Sequence, residues 1–266
     1  SREELAIGER TRSVLMMATP HFGTPLANFF TTVQGRHLLL LLTVLATSGA
    51  GRQSIFWGAQ LLRLVARADD VLGRTETFLD QLSRRLLDGI RTDIREPLWE
   101  FLVDVSGDQG AVIQLTPEGM NLYNAAVVDR PDVHYGSVLT AAPPPGARDL
   151  ARMMRPGRVL MSAIFVALYS LCTREHAHYP YPSPAGELER EVERQLPFSL
   201  RASSNDGIVP TLSQIYGTLV DVVVGDHLDV VGQFYQAGGQ AGTDWLPSGA
   251  GFDEARFRST WDRVAE

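Results

Sequence analysis

Two short loops carry the residues best suited to acid–base chemistry. One reads Ser203-Ser204-Asn205-Asp206-Gly207-Ile208-Val209-Pro210, the other Gly225-Asp226-His227-Leu228-Asp229. Each follows an apolar segment and presents an ionisable group among small residues. Taken singly, both have ordinary explanations. Asp in an Asn-Asp-Gly turn bonds its own backbone and tolerates left-handed geometry, and a His after a strand is commonly a hydrogen-bonded or solvent-facing ring. Taken together they say more. One helix-like segment and one strand separate them, which would put both at the carboxyl-end edge of a parallel sheet, where active sites of open α/β folds collect. There a carboxylate can accept from one imidazole nitrogen, fix the tautomer and leave the other nitrogen as general base.

The elements that must position these loops follow from hydrophobic periodicity. Arg12 to Thr19 is apolar throughout, as expected of a strand buried on both faces of a parallel sheet, and Pro20 ends it. From Leu26 to about Phe101 the spacing is helical, notably in the segments around Ile55 to Val65 and Phe78 to Leu87. Thr116-Pro117-Glu118 opens a helix: N-cap, proline at the first helical position, acid in the first turn. His134 to Ala141 reads as a strand closed by Pro143-Pro144-Pro145-Gly146. A helical insertion follows, with the apolar run Val159 to Leu171 and a charged helix Ala185 to Gln195. Thr218 to Val224 is a β-branched strand, His227 to Tyr235 a short helix, and Phe252 to Val264 a terminal amphipathic helix. Strands separated by long helical excursions indicate an α/β fold.

Composition narrows the chemistry. The chain has 266 residues, 44% hydrophobic and 21% charged, with a formal net charge of −7. That balance suits a globular protein and offers no basic surface to nucleic acid. All 24 basic residues are arginine, which excludes Schiff-base catalysis and the lysine of a phosphate-binding P-loop. The single cysteine, Cys172, cannot form an internal disulfide. The runs His37 to Ala46 and Val159 to Leu171 fall short of the ~20 residues of a membrane-spanning helix, so no transmembrane segment is expected. No secretory signal is visible at the first residues; secretion and the cell envelope both remain open as locations.

Four blocks resemble one family. "VLMMATPHFGTPLANFF" is similar to the strand and turn that follow the nucleophile helix of bacterial triacylglycerol lipases, serine hydrolases of the α/β-hydrolase fold. "QLTPEGMNLYN" and "VHYGSVLTAA" resemble their lid-proximal helix and next strand, "SSNDGIVPTLSQIYG" their acid loop, and "GDHLDVVGQF" their histidine loop. The resemblance implies a single α/β-hydrolase domain over residues 1–266, corresponding to the C-terminal part of the fold, with helical lid insertions at about 28–125 and 145–200. It makes Asp206 the triad acid and His227 the triad base, acting on a lipid-like or other apolar ester.

The nucleophile is the departure. No Gly-x-Ser-x-Gly occurs in the sequence. Ser48 and Ser248 lack the first glycine and the preceding apolar strand. In this fold the serine precedes the acid and the base along the chain, so the resemblance places it upstream, on an N-terminal segment or a second chain, and this chain alone is expected to be inactive and to need that segment for stability. A non-catalytic hydrolase-like binding module, or an acyltransferase or polyester depolymerase on the same scaffold, are the alternatives. No cofactor is required. Some lipases of the group hold calcium beside the histidine loop, where Asp229 and Gln233 fall at matching places, but the six to eight oxygens such a site needs are not identifiable. Asp229 reads equally as a helix N-terminal acid. Cys172, Glu175, His176 and His178 match no common zinc spacing. His21 belongs to the turn and is not read as catalytic.

Overall fold

Among the described residues, parallel pairing of three strands in the order β1-β2-β3 organises the fold. β1 is Ser13–Met17, β2 His134–Ala141 and β3 Thr218–Val224. The computed structural model describes residues 10–32, 35, 110–146, 159–174, 181, 186–235 and 244–266. The helical spacing read around His37 to Ala46, Ile55 to Val65 and Phe78 to Leu87, together with Ser48, Glu175, His176 and His178, lies outside the described residues.

Among the described residues β1 and β3 are the outer strands of this sheet, and burial differs from strand to strand. β2 is buried from Gly136 to Ala141 and β3 from Asp221 to Val224. β1 is only partly buried along its length, with Ser13 exposed. The expectation of a strand buried on both faces, made for Arg12 to Thr19, therefore fails for β1, which pairs on one side among the described residues. Each fully buried Val or Leu contributes roughly 1.5–3 kcal/mol, so the sheet's stability is concentrated at the carboxyl halves of β2 and β3.

Alternation sends side chains to opposite faces. Val138 and Val223 meet Val230, Phe234 and Phe252 on one face, joined by Phe257 and Val264 of α6 (Glu254–Ala265). Leu139, Val222 and Val224 meet Val192 and Leu196 on the other, at α5 (Glu187–Gln195). Arg263 of α6 also pairs with the buried Asp221 of β3. The result is a helix-covered parallel sheet, a mixed α/β arrangement.

The helices between β1 and β2 start where capping chemistry allows. In α1 (Pro25–Thr31) Thr24 accepts from the Leu26 amide and Pro25 occupies the first turn. After the short α2 (Gly110–Gln114), α3 (Pro117–Ala126) is capped by Thr116, which accepts from the Gly119 amide at 3.0 Å. Between β2 and β3, α4 (Val159–Arg174) is apolar around much of its circumference and correspondingly buried: Phe165 and Cys172 are wholly enclosed, packed with Leu26, Ala142 and Leu246. This third cluster lies beyond the carboxyl end of β2, beside the loop that bears Asp206. No described helix is long and apolar enough to cross a membrane.

The corner after β1 is strained. Ala18 has φ 51°, the only non-glycine residue with positive φ among those described, and it is buried. A left-handed alanine costs about 1–2 kcal/mol, here offset by a backbone bond from the Ala18 amide to the Val138 carbonyl at 3.0 Å and by its methyl group's place in the Val138–Phe252 cluster.

Candidate acid–base site

Asp206 sits in a closed turn at the carboxyl end of the sheet. The Asp206 amide donates to the Val209 carbonyl (3.2 Å), the Thr211 amide to Ser204 (2.9 Å), and the Ala142 amide just beyond β2 to Asn205 (3.0 Å). The Asn205 carbonyl Oδ1 accepts from the Gly207 amide at 2.8 Å. Gly207 has φ +95°, and a Cβ there would stand 2.9 Å from the Phe165 ring of α4, so the turn needs glycine for both conformation and space. The bland reading of Asn-Asp-Gly as turn chemistry is therefore accurate for Asn205 and Gly207. It also accounts for Asp206 Oδ1, which accepts from the Ile208 and Val209 amides, but not for Oδ2.

The Asp206 carboxylate is fully buried yet surrounded by donors. Oδ1 accepts from the amides of Ile208 (2.9 Å) and Val209 (2.7 Å). Oδ2 accepts from the Thr140 hydroxyl (2.6 Å) and the Gln214 side-chain amide (3.2 Å), and lies 2.9 Å from His227 Nδ1. A buried carboxylate without such partners would be costly; here the turn and β2 supply them. The His227 amide also donates to the Asp206 carbonyl at 3.0 Å, so the two loops are clipped by backbone as well as side chain.

His227 keeps 25% of its side chain exposed while its carboxylate partner has none. Burial lowers the imidazole pKa, but the Asp206 charge and hydrogen bond outweigh it and hold the value above the ordinary 6.5. The ring is thus oriented by Asp206 and partly open to solvent. Sequence spacing brought Asp206 and His227 to one edge, and the structure joins them. It adds Thr140 and Gln214, both buried, which the sequence reading passed over: Thr140 reads as an ordinary strand residue and Gln214 as a polar position in a loop.

The other candidates take structural places. His21 stacks on Tyr216 (centroids 4.6 Å apart) and its carbonyl accepts from Asn124. Burial pushes its pKa down to about 4 against the raising charge of Asp129, so it is a neutral packing ring. Cys172 donates weakly to the Ile208 carbonyl at 3.6 Å, and burial, then the Asp206 charge, push its thiol well above the usual range. Ser248 is buried and accepts from the Ala250 amide.

The histidine loop also differs from the expected helix. His227 to Tyr235 forms only a 3-10 turn, Asp229–Val231, ended by Gly232 at φ +92°. Asp229 Oδ2 accepts from the Asp226 amide (2.9 Å) and Asp226 Oδ1 from the Leu228 amide (3.0 Å). That use of Asp229 is turn-building. The Gln233 amide donates to the Leu228 carbonyl, and among the described residues no group of three or more His, Cys, Asp or Glu is placed to hold a metal ion. Asp229 and Gln233 alone do not fit a calcium shell.

Crowding two carboxyls here has a thermodynamic consequence. Burial first, then the Asp229 and Asp244 charges, push Asp226 up to about 10, and burial pushes Asp229 up to about 7. A carboxyl raised above its unfolded value of 3.8 favours the fold while both states are protonated, and that contribution is lost as pH rises from about 4 through the folded value. Asp226→Asn retains an oxygen for the Leu228 amide without the titration. Its melting temperature is expected to exceed wild type by a margin that widens from pH 4 to pH 8. Parallel melting curves over that range would show that Asp226 is not the source.

Fold and site together define an α/β protein with a buried Asp206 paired to a partly exposed His227 at the carboxyl edge of a parallel sheet. Comparison with protein-family models, curated proteins and solved structures found no match to this chain.

Proposed function

We propose that Asp206 and His227 are the acid and base of a serine carboxylic-ester hydrolase of lipase type, built on an α/β-hydrolase scaffold. The single observation that carries this reading is the 2.9 Å contact between the partly exposed His227 ring and the fully buried Asp206 carboxylate. A purely structural His–Asp pair has no need of a ring left partly open to solvent. Asp206 accepts from Nδ1–H, so Nε2 is the free base.

In the proposed reaction Nε2 takes the proton of a serine hydroxyl as its oxygen bonds to the ester carbonyl carbon. The alkoxy group leaves with that proton from the imidazolium, and the acyl-serine forms. Water then attacks the acyl carbon, giving its proton to Nε2, which returns it to the departing serine oxygen. The serine lies on a segment outside these 266 residues, and the chain also holds two long insertions between its strands, at about 28–125 and 145–200. The apolar composition of those segments favours a lipid-like or other apolar ester.

Covalent labelling by a fluorophosphonate probe tests the reading on the intact protein. Labelling that depends on His227 is expected; no labelling, in a protein whose residues before Ser1 hold no elbow serine, would establish a binding module instead. The pH profile is a further check. Because the working base is neutral His227 and its pKa is raised, kcat/KM is expected to climb with pH with a midpoint above 6.5. A midpoint below 6.5 would remove His227 as the base.

A further inference from the structure

We infer that Thr140 and Gln214 are positioning residues that fix the protonated nitrogen of His227 through Asp206; the inference rests on the proposed acid–base reading for its catalytic consequence but not for its geometry. The two residues are 74 positions apart and form one buried unit. Gln214 Oε1 accepts from the Thr140 amide at 2.7 Å. A backbone N–H can only donate, so this contact identifies the oxygen of the Gln214 side chain and leaves Nε2 as the end facing Asp206 Oδ2 (3.2 Å), with the carbonyls of Thr140 (3.2 Å) and Val209 (3.3 Å) as its other acceptors.

The Thr140 hydroxyl has one proton and two acceptors in reach, Asp206 Oδ2 at 2.6 Å and Gln214 Oε1 at 3.1 Å. The shorter, charge-assisted contact takes it. Oδ2 thus receives an O–H and an N–H from groups whose backbones are anchored in β2 and in the 3-10 turn Thr211–Gln214. Oδ1 is held independently by two amides. The carboxylate cannot rotate, and toward His227 it is an acceptor only. Nδ1 must carry the proton there, which leaves Nε2 as the lone-pair nitrogen. Without the Thr140 and Gln214 donors the clip between the His227 amide and the Asp206 carbonyl remains, so the loops stay together while the carboxylate loses its fixed orientation.

The experiment is nitrogen NMR of selectively labelled histidine in the intact protein at a pH above the His227 titration, with Thr140→Val, Thr140→Ser and Gln214→Met. Wild type is expected to show His227 in the Nδ1–H form alone. Thr140→Val, which keeps shape and removes the donor, is expected to give a mixture of the two tautomers and a kcat for a p-nitrophenyl ester lower by about 10- to 100-fold, the size of loss known for removing the outer partner that orients a metal-bound histidine, with KM unchanged. Thr140→Ser restores both. Should Gln214→Met fail to fold, Thr140→Val carries the test alone. A His227 tautomer unmoved in folded Thr140→Val overturns the inference. The tautomer is read without turnover. A protein that hydrolyses no ester but shows the shift would therefore sink the hydrolase reading and leave the positioning role standing, and hydrolysis with an unmoved tautomer does the reverse.

Discussion

Asp206→Asn is expected to lower kcat for ester hydrolysis by about 10⁴-fold, the loss seen when the orienting aspartate of a Ser-His-Asp triad becomes asparagine, while the protein stays folded. The geometry explains both halves. Asn keeps a carbonyl oxygen for the Ile208 and Val209 amides that hold Oδ1. On the other side an NH₂ replaces Oδ2, against His227 Nδ1 at 2.9 Å. Two donors cannot face each other, so the ring settles with Nδ1 unprotonated and accepting. Its proton moves to Nε2, the nitrogen that should abstract one. The Thr140 hydroxyl can turn toward Gln214 Oε1, 3.1 Å away, which limits the cost to the fold. Steady-state rates beside circular dichroism of wild type and variant check this. A folded variant with activity within a few-fold of wild type would remove Asp206 from the site.

A large effect on stability is expected far from that pair in sequence, at Gly23. Gly23→Ala should cost about 3–5 kcal/mol, combining a left-handed residue with a backbone overlap. Gly23 has φ +78°, and a Cβ there would lie 2.5 Å from Pro117 N and 2.6 Å from both Pro117 Cα and Thr116 C. Those are backbone atoms at the start of α3, which cannot swing aside as a side chain could. The same turn is tied elsewhere: the Ser213 hydroxyl donates to the Gly23 carbonyl at 2.6 Å, and the Thr24 hydroxyl donates to the Ile208 carbonyl at 2.6 Å. Moving the turn to relieve the overlap would therefore disturb the acid loop. Urea unfolding should show a lower midpoint with an unchanged slope; a midpoint equal to wild type would show that the α3 start can shift freely.

These two outcomes separate chemistry from architecture. Asp206→Asn removes rate at nearly constant stability, whereas Gly23→Ala removes folded protein and leaves what remains competent. The Pro-His-x-Gly corner thus works as a brace. His21 packs on Tyr216, Gly23 admits α3, and Thr24 both caps α1 and holds Ile208, two residues beyond Asp206.

Much of the frame was legible before any coordinates. β2 and β3 begin and end where the apolar, β-branched runs do, because Pro143 and Gly225 follow them and side chains on both faces are buried at their carboxyl halves. The start of α3 was legible because Thr116 and Pro117 carry local chemistry that works in almost any context. Local signals misled where tertiary contacts prevailed. β1 is apolar yet only partly buried, and the segment after His227 has helical composition but yields to Asx-type turns and a left-handed Gly232.

By itself the sequence determined which two loops hold the ionisable pair, since Asn-Asp-Gly and Asp-His-Leu are local turn chemistry after readable strands. It also limited the chemistry through an all-arginine basic set. Only the tertiary structure decided how the pair is oriented. Parallel registry sets Thr140 beside Val223 and Ala141 beside Val224, which brings the end of β2 level with the loop leading to His227. Gln214 reaches the same point from its 3-10 turn. Hydrogen bonds of 2.6–3.2 Å to one carboxylate oxygen require their atoms to be placed within tenths of an ångström across 66, 8 and 21 positions of chain. No local pattern encodes such distances, because they arise from strand pairing and from the helices packed against both faces of the sheet.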